Sequence, residues 1–271
     1  MKYYPSYWQS LGLLLLLLLF TLVSVLIVMP FFSYRSNVGL TLIYTLSIVF
    51  TILAGLWIRK DFRFKWNGIY PMIVLLSTII FLGSHIFLDP LTSLFPVPEI
   101  LKKTLLDTLE FPVASFVTMV IAAPLLEELL FRGVMLDGLL RNYSPGRAIF
   151  FNAFLFGLIH GNFAQGLGAM IGGLVIGWVY WKTQSIIPCI IIHFLNNLVA
   201  YVSIINTPRE DLFNDLSREF DNPFYYWILV ATCGMVMSFS LWVLYNKCLK
   251  NISPKEKNTE IESVSLMQEK E

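Results

Sequence analysis

The sequence predicts an all-α fold: a polytopic membrane helical bundle of about eight transmembrane helices with both termini cytoplasmic. Three observations predict it. The chain of 271 residues is 56% hydrophobic and only 14% charged, with a mean hydropathy of +0.69, whereas soluble domains carry about a quarter charged residues. Its apolar residues fall into long blocks, and a helix needs about 20 such residues to cross a hydrocarbon core about 30 Å thick. Its basic residues gather in particular connections, as they do on the cytoplasmic side of membrane proteins.

Taken in order, the first block is Leu11–Met29. It resembles a secretory signal, but it runs on into Pro30, Phe31 and Phe32 with no small-residue cleavage site, so it reads as a retained span. The next spans are Val38–Ile58, Ile69–Leu88 and Phe111–Leu140, then two short ones, Ala148–Phe163 and Gly166–Trp181, and finally Ile186–Ile205 and Tyr225–Tyr245. Arg59, Lys60, Arg63 and Lys65 crowd the second connection, and Lys247, Lys250, Lys255 and Lys257 follow the last span, which orients the bundle. In the connection Asp89–Glu110, Leu101, Leu105 and Leu109 recur at helical spacing opposite Lys102 and Lys103. That pattern suits an interfacial helix and an ordinary loop equally well. Asn206–Pro223 reads as an exposed polar loop. Residues 1–250 therefore form the membrane domain, and residues 251–271 a charged, disordered cytoplasmic tail. The cell membrane is the expected location.

Several classes are disfavoured. A net charge of +1 gives no argument for a nucleic-acid partner, and no Gly-rich phosphate loop is present. Cys189, Cys233 and Cys248 form no C-x-x-C pair and read as packing residues. Neither G-x-S-x-G nor H-E-x-x-H occurs, so the usual local signals of a serine hydrolase and a zinc protease are missing.

The informative residues are polar ones inside the spans. Glu127, Glu128 and Arg132 interrupt the fourth, where each charge costs about 2.5–3.5 kcal/mol if it faces lipid. Glu128 and Arg132 are four apart and share a helix face, so they can pair. Glu127 points about 100° away and is left for another task. Pro124, just before them, can kink the helix and free a carbonyl. Taken alone, this group is also compatible with a structural ion-pair cluster.

His160 ends the stretch Phe156-Gly157-Leu158-Ile159-His160 on the fifth span, and His193 and Asn197 share a face of the seventh. Measured from the cytoplasmic ends of their helices at about 1.5 Å per residue, Glu127, His160, His193 and Asn197 all lie about 12–21 Å deep. Independent structural residues need not share one layer, so this coincidence is the main argument for a site. His85, near the outer end of the third span, lacks such company and reads as structural. Gly168, Gly172, Gly173 and Gly177 predict close helix packing around the layer.

Glutamate, two histidines and an amide donor suffice for water attack on a peptide carbonyl. Glu127, His160 and His193 could instead hold a divalent metal such as zinc, which the sequence permits and does not demand.

Three motifs stand in order: Glu127-Glu128-Leu129-Leu130-Phe131-Arg132 as E-E-x-x-x-R, Phe156-Gly157-Leu158-Ile159-His160 as F-x-x-x-H, and His193-Phe194-Leu195-Asn196-Asn197 as H-x-x-x-N. The set resembles the CPBP family, the CAAX proteases and bacteriocin-processing enzymes also called the Abi family. The resemblance makes residues 111–205 the catalytic core and implies an intramembrane endopeptidase acting on a peptide or protein substrate at the membrane. It implies that Glu127 and His160 activate water, that His193 and Asn197 form the oxyanion site, and that Glu128 and Arg132 support them. The family is commonly labelled metalloprotease, although the glutamate–histidine scheme needs no catalytic metal. CAAX-type and bacteriocin or leader-peptide processing both remain open. So does a non-catalytic role in bacteriocin self-immunity or as a membrane scaffold. A proton-coupled transporter is disfavoured by the lack of inverted repeats. Oligomeric state is not legible.

Overall fold

The computed structural model describes residues 3–32 and 36–250. Helix α1 (Tyr7–Val28) starts at a capping box, in which Ser6 Oγ accepts from Gln9 N–H and Gln9 accepts from Ser6 N–H. It lies along α2 (Asn37–Arg59). Helix α3 (Pro71–Thr92) follows, then the short α4 (Glu99–Leu109), which has no buried residue. The connection that suited either a helix or a loop is therefore helical over its second half. The remaining helices are α5 (Pro112–Asn142), α6 (Pro145–Leu158), α7 (Phe163–Thr183), α8 (Ile187–Asn206) and α9 (Pro223–Leu249).

Seven of these helices (α1, α2, α3, α5, α7, α8 and α9) are long and apolar enough to cross a membrane. On α1, Leu15, Leu18, Leu22 and Leu26 point outward, a cost in water and none in lipid. The chain is an integral, multi-pass membrane protein. The expected fifth span is the exception. Helix α6 has 14 residues, about 21 Å at 1.5 Å per residue, short of the ~30 Å hydrocarbon core. Gly161 adopts φ 71° just beyond it, and Asn162 caps α7 by accepting from Gln165 N–H. A left-handed glycine ends one helix and a cap opens the next. The apolar Ile159 and Phe163 carried the expected span Ala148–Phe163 past the end of the helix at Leu158.

Helix α5 is the axis of the bundle. Leu130, Phe131, Arg132, Val134, Met135, Leu136 and Leu139 are almost wholly buried on it, and it contacts α2, α6, α7 and α8. Its turns widen to π geometry at Val117–Ala122 and Leu129–Leu136, one stretch just before Pro124 and the other just after the glutamates. Wide turns accommodate an unpaired backbone group and often mark functional stretches. The small residues of α7 let its neighbours in. Gly172 receives the Phe81 ring of α3, where a Cβ would collide with it, and Gly166 meets Gly157 of α6 backbone to backbone.

One end of the bundle is clasped by charge. Asp137, buried on α5, pairs with Lys65 at 2.6 Å, Arg141 at 2.9 Å and Arg59 at 3.8 Å. Tyr180 Oη donates to its carboxylate at 3.2 Å. Arg59 also donates to Gly133 O at 2.8 Å. Ser185 Oγ donates to Asn67 O, and Ile186 N–H to Lys65 O. At the rim of the clasp, the hydrogen-bonded Arg63 guanidinium holds the Asp61 carboxyl below the usual carboxylate range. Asn142 accepts from Tyr3 N–H, so the described N-terminus meets this same end. Residues 251–271, expected to form a tail, lie outside the described residues.

Candidate active site

Helix α5 supplies the acidic pair. Arg132 Nη1 donates to Glu128 Oε1 at 2.8 Å, with both side chains fully buried, which is the pairing the four-residue spacing predicts. The guanidinium also donates to Gly173 O at 3.3 Å and lies 4.7 Å from the Phe156 ring centre. Glu127, 100° around the helix, turns to the other side. Its Oε1 accepts from Tyr44 Oη of α2 at 2.6 Å.

His193, on α8, bridges the two glutamates. Its Nδ1 lies 2.9 Å from Glu128 Oε1 and its Nε2 4.0 Å from Glu127 Oε2. A carboxylate already paired with arginine can only accept, so Nδ1 is the donor and Nε2 is directed to Glu127. His160 follows the last turn of α6 rather than sitting within a spanning helix. Its Nδ1 lies 2.8 Å from Phe156 O. A carbonyl only accepts, so Nδ1 carries a proton, and in that neutral tautomer the lone pair lies on Nε2. Phe156 thus holds both histidines, because its ring also packs edge-on against His160 at 5.2 Å and His193 at 5.7 Å. Asn197, one turn beyond His193, donates from Nδ2 to Met119 O at 2.8 Å. That carbonyl belongs to the wide turn of α5.

Glu127, His160, His193 and Asn197 line one cavity of about 340 Å³. Glu128 and Arg132 stand behind it. Tyr44, Glu127 and His160 also form the wall of a second, apolar cavity of about 820 Å³, lined by leucines of α1 together with Ile43, Ile48 and Leu158. The acid–base pair therefore sits where a polar chamber meets an apolar one.

Among the other polar lining residues, Tyr44, Thr118, Gln165 and Asn196 were not singled out in the sequence, and His85 was read as structural. Tyr44, Ser47 and Thr51 form a polar stripe at helical spacing on α2, which could have signalled a buried face. His85 does have company, since its Nε2 lies 3.1 Å from Asn196 Oδ1. Asp137 was also passed over, although an acid in an apolar span is a signal of the same kind as Glu127.

The residues do not form a metal-ligand set. Among the described residues, no three His, Cys, Asp or Glu side chains converge as metal ligands.

Fold and site define the class: a multi-pass helical membrane protein with a buried acid, histidine and amide cavity. Residues 109–199 match the family model described as Rce1-like, type II CAAX prenyl endopeptidase Rce1-like. This domain is consistent with a CPBP family intramembrane protease and supports a membrane hydrolase of the CAAX type. Comparison with curated proteins and with solved structures returned no match.

Proposed function

We propose that this chain hydrolyses a peptide bond of a CAAX-type substrate using water activated between Glu127 and His160. The observation that carries the reading is that Glu127, His160, His193 and Asn197, from two helices and the turn after a third, line one cavity. Water held there gives its proton to the Glu127 carboxylate or to His160 Nε2 as its oxygen bonds to the carbonyl carbon. The carbonyl oxygen becomes an oxyanion and accepts from the second N–H of Asn197 and from protonated His193 Nε2. The tetrahedral intermediate collapses, the C–N bond breaks, and the proton returns to the leaving nitrogen. Glu128 holds the His193 ring and Arg132 holds Glu128. The adjoining apolar cavity offers room for the lipid portion of a prenylated substrate.

The test uses the purified full chain in nanodiscs and an internally quenched, S-farnesylated CAAX peptide. An unprenylated counterpart and a bacteriocin-type leader peptide form the other arms. The wild type is expected to cleave the farnesylated peptide fastest. Glu127→Gln and His160→Ala should lower the rate by at least about 10²-fold while leaving the thermal midpoint near that of the wild type. Turnover retained by both variants would overturn the assignment. Because no ligand set converges, a chelator should leave the rate unchanged, and loss that zinc restores would show that a metal site assembles after all.

A further inference from the structure

His85 lies on α3, outside the stretch matched to the family model, yet it enters the same cavity as the proposed catalytic groups. Its ring is fixed on two sides. It stacks on Phe81, centroids 5.5 Å apart and planes 24° from parallel, and it abuts Gly168, where an added Cβ would come within 3.0 Å of Cε1. From this ring a chain of amides leads to Asn197. His85 Nε2 is 3.1 Å from Asn196 Oδ1, Asn196 Nδ2 donates to Asn197 Oδ1 at 3.2 Å, and Asn197 Nδ2 donates to Met119 O at 2.8 Å.

The chain has one direction. Met119 O accepts only, so the NH₂ of Asn197 must face it, and its second N–H remains for a ligand. Asn197 Oδ1 must then receive the NH₂ of Asn196. That turns Asn196 Oδ1 toward His85, which completes the chain by donating from Nε2. A flipped Asn197 would set its oxygen against Met119 O and present a lone pair where negative charge develops. Asn196 and Asn197 are adjacent, so their side chains leave α8 in different directions, and a group on another helix is needed to anchor the first.

We infer that His85 is a positioning residue that, through Asn196, holds the Asn197 amide with its N–H toward the substrate carbonyl. The inference rests on the endopeptidase reading above and deepens it. His85→Leu removes the donor and keeps an apolar side chain, whereas His85→Gln keeps an N–H near the position of Nε2. With the farnesylated peptide, His85→Leu should lower kcat about tenfold, part of the 10²–10³ lost when an oxyanion donor is removed outright, with KM changed less than about twofold. His85→Gln should recover most of the rate. In an Asn197→Ala background, His85→Leu should have no further effect, because the group it acts through is gone.

A second readout does not depend on turnover. In ¹⁵N-asparagine-labelled protein, the Asn197 side-chain amide signal, assigned by its loss in Asn197→Asp, should move in His85→Leu and stay near its wild-type position in His85→Gln. An unmoved signal in folded His85→Leu overturns the inference. So does wild-type kcat in that variant, or additive losses with Asn197→Ala. If the wild type cleaves no peptide, the endopeptidase reading fails and the amide signal still decides whether His85 orients Asn197.

Discussion

Two adjacent glutamates with opposite surroundings set the chemistry at the residue scale. Glu128 is fully buried and shares one oxygen between Arg132 and His193. Glu127 faces the cavity and, among the described residues, is held by the Tyr44 hydroxyl and, at longer range, His193. One helical step of about 100° separates these environments. Arg132 is therefore the residue whose loss should damage the fold rather than only the rate. Arg132→Met leaves the deeply buried Glu128 without its arginine partner, and breaking a buried pair costs about 3–5 kcal/mol. The expected outcome is a large fall in folded yield and in the temperature of irreversible unfolding in detergent, with Glu127→Gln close to wild type in both. Equal stability of the two variants would show that the Arg132–Glu128 pair is not what holds the site. The division between the glutamates was legible because it depends only on helical phase. The partners of the site were not. Tyr44 reaches Glu127 across 83 residues of chain and His85 reaches Asn196 across 111, and no local spacing encodes which apolar faces will meet.

The geometry of the site is set by departures from regular helix at the element scale. The wide turn at Val117–Ala122 contains Met119, whose carbonyl receives Asn197, and it also binds α2 through the Thr41–Thr118 hydroxyl pair at 2.6 Å. Pro124 was a legible reason for irregularity, but a kink and a π turn cannot be told apart from one proline. The shortness of α6 was legible, but the position of its end was not. Its end depends on one positive-φ glycine and one cap, and hydropathy averages across both. That end places His160 at a turn, where its backbone N–H bonds to Gly157 O. The α3–α7 contact holds His85, and it is the element contact most open to test. Gly172→Val would force a branched side chain into the Phe81 ring, and overpacking of this kind costs about 1–3 kcal/mol. Gly146→Ala, with open space around it, is the matched control. The valine variant should inactivate at a lower temperature in detergent and the alanine variant should match the wild type, measured as loss of soluble monodisperse protein on heating.

Both described ends of the chain return to one end of the whole bundle. Asn142 bonds to Tyr3 at the N-terminal side, and Leu244 and Leu249 join the core with Ile73 and Ile186 near the Asp137 clasp. The connections 60–70 and 184–186 meet there, whereas 93–111 and 207–222 lie at the other ends of the same helices. This pairing of connections follows from helix packing and requires no rule about charge. For the orientation in the membrane we propose, from charge, that the clasped end faces the cytoplasm, because Arg59, Lys60, Arg63, Lys65, Arg141 and Lys182 gather there. The consequence can be measured directly. With Cys189, Cys233 and Cys248 replaced, a single cysteine at Lys60 should react with a membrane-impermeant maleimide only after cells are permeabilised. A single cysteine at Arg209, in the exposed connection before α9, should react in intact cells. Both reacting in intact cells would mean that the two connections share a side, which the packing of α3, α5, α7 and α8 forbids. The reverse pattern would keep the fold and invert it in the membrane. Helix α6 begins at the clasped end and spans about 21 Å from it, so inversion would leave His160 at the same depth in the bundle but move its approach route to the opposite compartment.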